Sequence, residues 1–285
     1  MTRIIALLGH PVAHSVSPQF QQAALDALGI DARYEAWDTP PEELPIAIER
    51  LRSGDLLGAN VTVPHKVEAL RLVDRLDAAA EEAGAINVIV NRLGQLHATN
   101  TDAHGIARAL EAARVEVRGA RVLLVGAGGA ARAAILALRQ GGAERVTIVN
   151  RTPDRAADLE PLGGGLDLRF APLDPSDATF RGAARSARII IQSTSVGMHH
   201  GPAEGESPVP AAWLGADHVA FDLVYTPQET PFLRDAKRAG AQTIGGIEML
   251  VHQGAEAFRL WTGQEAPVEV MYAAAREALA GADAG

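Results

Sequence analysis

The sequence predicts the α/β fold class, with the chain divided into two α/β domains. Strand and helix signals alternate along the chain, the pattern of sheets that carry helices on their faces. With 285 residues, each of two domains can bury its own core. From Ile247 to Ala280 the pattern is helical, with an interruption around 263–267 and no strand. These last helices need a sheet elsewhere to pack on, and we expect the N-terminal domain to supply it.

Short apolar runs bounded by turn residues predict the strands of the N-terminal domain, and amphipathic runs predict its helices. Gly94 lies in a short polar segment, 91–95, that is typical of a hairpin turn. The predicted strands cover residues 4–8, 33–37, 58–63, 86–90 and 96–99, and the predicted helices cover 18–28, 41–52, 64–76 and 102–113.

Residues 121–151 show a strand, a glycine turn, a helix and a second strand. Gly126, Gly128 and Ala131 stand where such a turn needs a tight bend, close approach of the backbone to a pyrophosphate, and close helix–strand packing. A pyrophosphate there would meet the free N–H groups of the helix N-terminus. We therefore predict a Rossmann-type dinucleotide-binding domain. Its cofactor turn consists of Gly126, Ala127, Gly128, Gly129 and Ala130, its strands cover 122–125, 146–149, 189–192 and 219–224, and its first helix covers 130–139.

The end of the second strand of this domain predicts which dinucleotide binds. Enzymes that use NAD usually carry Asp or Glu there for the ribose hydroxyls. This chain has Asn150, Arg151 and Thr152, with Arg155 shortly after. Because arginine suits the 2′-phosphate, we expect NADP as the cofactor.

Composition narrows the class further. Hydrophobic residues make up 47% of the chain, but charges interrupt the apolar runs before the ~20 residues that a membrane-spanning helix needs. The net charge of −9 argues against nucleic acid as a partner, because phosphate binding relies on clustered Lys and Arg. The absence of cysteine excludes disulfides and thiolate metal sites and fits a cytoplasmic protein. The nine histidines match no metal-binding spacing, so we expect no metal.

Polar residues cluster after several predicted strands, where ligands bind in open α/β sheets. The clusters are 9–18, 58–66, 84–87 and 100–102. With these segments the chain resembles the shikimate/quinate dehydrogenase family, and the resemblance continues in order through 150–152, 222–225, 230–231, 249–250 and 253. It implies NADPH-dependent reduction of a small molecule, 3-dehydroshikimate, to shikimate in aromatic amino-acid biosynthesis.

The same resemblance implies roles for individual residues. Lys66 supplies a proton to the ketone oxygen as hydride arrives, and Asp102 holds the lysine and binds the substrate. The helix predicted from Pro64 would place Lys66 in its first turn, where positive charge opposes the helix dipole and the neutral amine is favoured. The remaining residues implied are Ser15 and Ser17 for the substrate carboxylate, Thr62, Asn87, Tyr225 and Gln253 for other substrate groups, and Leu223 and Gly246 near the nicotinamide.

Structural explanations compete with some of these roles. Ser17 before Pro18 is a good helix N-cap, worth ~1 kcal/mol without any ligand. Asp102 opens a predicted helix and could serve only as its cap. Ser15 and Lys66 have no comparable explanation.

Two departures from the family leave the substrate open. Gln21 and Gln22 stand where the family usually has a His-Asn pair, and Val88 follows Asn87 where the family usually has Thr. Because Val88 lacks the threonine hydroxyl beside the expected pocket, the substrate preference can differ. A quinate dehydrogenase or a broad quinate/shikimate dehydrogenase is therefore an alternative. A non-catalytic NADP-binding sensor is a second alternative, although it would need no proton donor such as Lys66.

The expected domains are 1–102 for substrate, 103–240 for NADP with helix 102–113 as connector, and 241–285 for C-terminal helices that pack on the first domain. A homodimer is possible, but the sequence does not decide the oligomeric state.

Overall fold

The computed structural model describes residues 2–199, 201 and 203–282. The chain divides into two units, Met1–Asp102 with Val251–Gly285, and Ala103–Leu250. Each unit contains a six-stranded sheet, so the predicted α/β class with two α/β domains is confirmed. Within the described residues, no helix is both long and apolar enough to cross a membrane.

The elements follow the alternation seen in the sequence. The strands are β1 (Arg3–Gly9), β2 (Ala32–Asp38), β3 (Leu56–Val61), β4 (Arg75–Leu76), β5 (Val88–Arg92), β6 (Gln95–Thr99), β7 (Arg121–Val125), β8 (Arg145–Asn150), β9 (Asp167–Pro172), β10 (Ile189–Gln192), β11 (Val219–Asp222) and β12 (Gln242–Ile244). The helices are α1 (Ser17–Ala27), α2 (Leu44–Arg50), α3 (Ala78–Ala83), α4 (Asp102–Ala112), α5 (Gly129–Gln140), α6 (Pro153–Ala157), α7 (Ala178–Ser186), α8 (Pro231–Arg238), α9 (Gly246–Thr262) and α10 (Val268–Ala282).

The sheet of the first unit is mixed, in the order β2-β1-β3-β5-β6-β4. β1 runs parallel to β2 and β3, whereas β5 runs antiparallel to β3 and β6. The predicted hairpin between β5 and β6 is confirmed, with Leu93 and Gly94 at φ 55° and 87°. Parallel β1 and β3 end side by side, with Leu8 opposite Val61. The loops that follow these two strands therefore begin next to each other.

Both faces of this first sheet are covered. On one face, Leu8, Ile48 and Ile89 belong to a buried apolar cluster. On the other, Trp261 of α9 donates from Nε1 to the Ile89 carbonyl at 2.9 Å. A Cβ at Gly58 would lie 2.0 Å from that carbonyl oxygen, so the close approach requires glycine there.

The second unit contains an all-parallel sheet in the order β12-β11-β10-β7-β8-β9. The strand order reverses between β7 and β10, which is where open α/β sheets bind ligands. Two strands of this sheet, β9 and β12, were not predicted from the sequence. β12 pairs with β11 within the second unit, which extends to Leu250.

The helix predicted over 64–76 is wrong. Turns occupy residues 64–68, a single 3₁₀ turn covers Ala69–Arg71, and β4 follows. The reason is a tertiary hydrogen bond: the Lys66 carbonyl accepts from the Ile86 amide at 2.8 Å instead of from an amide one turn ahead. Lys66 therefore lies in a turn, and the expected helix dipole is absent at this position.

Candidate active site

Lys66 and Asp102 form an ion pair in the first unit. Lys66 Nζ donates to Asp102 Oδ2 at 2.6 Å. The Asp102 side chain is 6% exposed and that of Lys66 is 27% exposed. The carboxylate is thus shielded, while part of the lysine side chain stays open to solvent. This arrangement gives the lysine a fixed orientation.

Asn87 connects the carboxylate to the rest of the first unit's polar cluster. Its Nδ2 donates to Asp102 Oδ1 at 2.7 Å and lies 3.2 Å from Gln253 Oε1. Its Oδ1 accepts from the Thr101 amide at 2.8 Å. The Thr101 hydroxyl in turn donates to the Gln253 carbonyl at 3.1 Å. Asn87 therefore links Asp102 to two further buried residues, Thr101 and Gln253, and this network holds the carboxylate in one orientation.

Two residues beside Asp102 make contacts that we did not predict. Asn100 and Thr101 lie within the polar segment 100–102, but we assigned a role only to Asp102. Asn100 Oδ1 accepts from the Asp102 amide at 2.9 Å, so the neighbouring asparagine binds the first backbone amide of α4. Both Asp102 oxygens are bound instead by Asn87 and Lys66, which argues against a capping role for Asp102.

Residues 10–16, which we call the serine loop, connect β1 to α1. Ser15 Oγ accepts from the Ser17 amide at 3.3 Å, and α1 begins at Ser17 with no side-chain cap. The capping explanation for Ser17 is therefore wrong, and Ser15 has the local contact that we had not expected. Thr62 lies beside this loop, since a Cβ at Gly9 would lie 2.4 Å from Thr62 Cγ2. The structure thus places Thr62 next to the start of the serine loop.

The residues that depart from the family have structural partners. Gln21 is buried and donates to the Gly254 carbonyl at 3.0 Å, which links α1 to α9. Gln22 Oε1 accepts from the Tyr34 amide at 2.9 Å, which links α1 to β2. Val88 is fully buried within the sheet, between β3 and β6. These contacts explain the two glutamines by packing within the first unit.

The glycine turn lies at the strand-order reversal of the second unit. Gly126 has φ 108°, and a Cβ there would lie 2.7 Å from Ser193 Oγ, beyond the end of β10. Gly128 precedes α5 and Gly129 begins it; both are exposed, and neither would bring a Cβ within 4 Å of another group. The turn therefore leaves open backbone at the helix N-terminus, as a bound pyrophosphate requires.

Two exposed arginines follow β8, the strand next to β7 in the sheet of the second unit. β7 and β8 are parallel, with Val125 opposite Val149, so Asn150 follows on the same edge as Gly126. Asn150 Nδ2 donates to the Thr152 carbonyl at 2.8 Å and shapes the turn into α6. Three further predicted residues there have exposed side chains: Arg151, Thr152 and Arg155. All three lie just after the carboxyl end of β8.

The remaining predicted residues lie around the loop after β11. The Leu223 amide donates to the Gln192 carbonyl at 2.9 Å. Gly246 packs against this loop, since a Cβ there would lie 2.5 Å from the Val224 carbonyl oxygen. Tyr225 is half-buried, and burial raises the pKa of its phenol. In the described ranges, no group of His, Asp and Glu side chains is arranged to hold a metal ion.

These features define a class of protein, a dehydrogenase with a dinucleotide-binding domain and a lysine–aspartate pair. Three family models match this chain, one after another: "Shikimate dehydrogenase substrate binding domain" over residues 7–89, "Shikimate / quinate 5-dehydrogenase" over 107–199, and "Shikimate 5'-dehydrogenase C-terminal domain" over 246–276. The chain is also 43% identical to the shikimate dehydrogenase (NADP(+)) of Moorella thermoacetica, covering 100% of this chain and 96% of that protein. The chain belongs to the shikimate dehydrogenase family.

Solved structures agree with this assignment. The shikimate 5-dehydrogenase of Thermus thermophilus, in complex with NADP(H) and shikimate, is 42% identical, with a TM-score of 0.87 over 97% of this chain and 100% of that one. The quinate dehydrogenase of Corynebacterium glutamicum, in complex with NAD, is 26% identical, with a TM-score of 0.89 over 97% of this chain and 99% of that one.

Proposed function

We propose that this chain reduces 3-dehydroshikimate reversibly to shikimate with NADPH, in the biosynthesis of aromatic amino acids. The Lys66–Asp102 pair is the observation that carries this proposal, because a lysine held 2.6 Å from a buried carboxylate is suited to proton transfer. A sensor that only bound the dinucleotide would have no need of such a pair.

The cofactor turn fits a pyrophosphate because its backbone is open and begins α5. In this proposal, Gly126 to Ala130 hold the pyrophosphate, and Asn150, Arg151, Thr152 and Arg155 hold the adenosine ribose and its 2′-phosphate. Leu223 and Gly246 line the nicotinamide end. When bound, NADPH supplies the hydride.

Lys66 provides the proton. Its ammonium donates to the ketone oxygen as negative charge grows there, and the neutral amine that remains regains a proton from water at its exposed side. Asp102 orients the amine and accepts a hydrogen bond from the substrate hydroxyl. Asn87 holds Asp102 from the opposite oxygen.

Other polar groups bind the substrate in this proposal. Ser15 and Ser17 take the carboxylate, and four residues take the ring hydroxyls or the carboxylate: Thr62, Asn87, Tyr225 and Gln253. Hydroxyl and amide groups of this kind give direction to a small polyhydroxylated ring. We also place the enzyme in the cytoplasm, in keeping with its lack of cysteine, and leave a homodimer to be tested by sedimentation.

The deciding experiment is an absorbance assay of the reduced cofactor, NADPH or NADH. The purified chain is offered shikimate or quinate, each with NADP or NAD. We expect the highest kcat/KM with shikimate and NADP. Faster oxidation of quinate would instead support the quinate dehydrogenase alternative, and NADP binding without turnover of either acid would support the sensor.

A further inference from the structure

Asp222 ties together both ends of one loop in the second unit. Residues 223–230 connect β11 to α8. Asp222 Oδ1 accepts from the Val224 amide at 2.9 Å, and Oδ2 accepts from the Thr230 hydroxyl at 2.6 Å. Asp222 and Thr230 are both 0% exposed. A single carboxylate therefore holds the start and the end of this loop, which we name the β11–α8 loop.

The β11–α8 loop has further constraints at each end. Thr230 is the N-cap of α8, where its Oγ1 accepts from the Leu233 amide at 3.2 Å. The hydroxyl proton is therefore free to point at Asp222. At the other end, Gly246 lies against the carbonyls of Leu223 and Val224, where a Cβ would come within 2.7 Å and 2.5 Å of the two oxygens. A shift of the Asp222 contacts would move this backbone directly.

The surroundings of Asp222 make its charge costly. Gln192 faces it on β10, and the buried face of α8 consists of Phe232, Leu233 and Ala236. None of these groups carries a charge, and burial raises the pKa of the Asp222 carboxyl to about 7. A neutral side chain of the same shape would avoid this cost. A reason beyond packing is therefore needed for a carboxyl group at this position.

We propose that Asp222 is a positioning residue: through Val224 and Thr230 it sets the β11–α8 loop so that Leu223 and Tyr225 meet the nicotinamide and the substrate. This inference rests on the proposed function, which assigns those two residues to these ligands. Because Asp222 is fully buried, it acts through the loop rather than by touching a ligand. Arg151 and Arg155 lie on a different element, after β8, so the 2′-phosphate site stays unchanged.

The test compares substitutions at the two ends of the hydrogen bond. Thr230→Val keeps the shape but removes the hydroxyl, which is both the donor to Asp222 and the N-cap acceptor of α8, whereas Thr230→Ser keeps both contacts. We expect Thr230→Val to lower kcat/KM for shikimate about tenfold, the effect of leaving a buried charged acceptor unpaired. Thr230→Ser should stay near wild type, and the KM for NADP should change less than about twofold in both. Thr147→Val, which removes another nearly buried hydroxyl from the same unit, is the matched control.

A pH profile separates positioning from mere structural support. Asp222→Asn keeps an acceptor for the Val224 amide but cannot ionise. We expect the kcat/KM profile of the wild type to show an inflection near neutral pH that Asp222→Asn lacks and Thr230→Ser retains. A structural role alone would lower activity by the same factor at every pH.

The outcomes are distinct. If the wild type does not oxidise shikimate, the proposed function fails; shikimate affinity from titration calorimetry then still compares the variants. The inference is overturned if Thr230→Val and Asp222→Asn keep wild-type kinetics and pH profile. It is also overturned if they weaken NADPH and shikimate binding alike, in proportion to the unfolded fraction measured by thermal melting. Should Asp222→Asn fail to fold, the Thr230 pair decides alone.

Discussion

Lys66 and Asp102 lie 36 positions apart in the chain, yet Nζ and Oδ2 are only 2.6 Å apart. The pair lies at the carboxyl edge of the first sheet. Lys66 reaches it from the turns after β3, and Asp102 reaches it as the first residue of α4. The other Asp102 oxygen is bound by Asn87, which fixes the orientation of the carboxylate toward the lysine.

Lys66→Ala should lower kcat by about 10²- to 10⁴-fold, the usual contribution of a positioned proton donor, while substrate binding suffers less. Steady-state kinetics with shikimate and NADP measure both. Lys237→Ala is a suitable control, since it removes an exposed lysine that also forms an ion pair, with Glu229 at 3.2 Å. A raised KM with normal kcat would show that Lys66 only holds the substrate.

Asp102→Asn should also lower kcat, because an amide cannot stabilise the ammonium of Lys66 as a carboxylate does. If the two residues act as one unit, the double variant with Lys66→Ala should lose much less than the product of the single losses. The four proteins of this cycle are compared by kcat. Fully multiplicative losses would mean that Lys66 and Asp102 work independently.

Arg151→Ala should raise the KM for NADP about tenfold or more and leave the KM for NAD nearly unchanged. A charge-assisted hydrogen bond to the 2′-phosphate contributes roughly 1.5 to 3 kcal/mol, and NAD lacks that phosphate. Arg238→Ala, at an exposed position on α8, controls for the loss of one positive charge. Equal losses with both cofactors would contradict the assignment.

Gly126→Ala and Gly128→Ala should separate stability from cofactor binding. At Gly126 the new methyl would meet Ser193 Oγ at 2.7 Å from a backbone at φ 108°, so we expect a loss of stability of roughly 1–3 kcal/mol. At Gly128 nothing lies within 4 Å, so the protein without cofactor should keep its stability while NADP binds more weakly. Denaturant unfolding and NADPH fluorescence report the two effects.

Asp222→Asn should stabilise the protein increasingly as pH rises. Burial raises the pKa of Asp222 from its ordinary 3.8 to about 7, so between these values the folded state keeps a proton that the unfolded state has lost. Wild-type stability from this group therefore falls as pH rises through that window, by up to about 4 kcal/mol in total. Asparagine does not titrate. Melting temperatures measured from about pH 5 to about pH 8 should diverge, and a constant difference would contradict the burial of this charge.

Much of the cofactor half could be predicted from local sequence. The spacing of Gly126 and Gly128 between two apolar runs reflects requirements of a single strand–turn–helix, and β7, α5 and β8 formed as predicted. The alternation of apolar runs likewise predicted most strands of the first unit. The two-residue strand β4 and the short edge strand β12 were missed because runs of this length carry almost no periodicity.

The failures occurred where long-range hydrogen bonds decide local structure. Residues 64–68 form turns because the Lys66 carbonyl accepts from Ile86, twenty positions away in the chain. No helix signal in the sequence carries that information. Ser17 in turn lost its expected capping role because α1 starts at Ser17 itself and Ser15 takes the backbone contact.

The sequence by itself determined the α/β class, the dinucleotide turn and the residue types of the candidate site, because these depend on periodicity, turn chemistry and spacing within one segment. Only the tertiary structure decided which polar atoms meet. Asn87 binds Asp102 and also contacts Gln253, 166 positions further along the chain than Asn87, and the burial of Asp222 depends on β10, β11 and α8 together. Contacts of this kind arise when sheets and helices pack, and packing brings together residues that no local pattern connects.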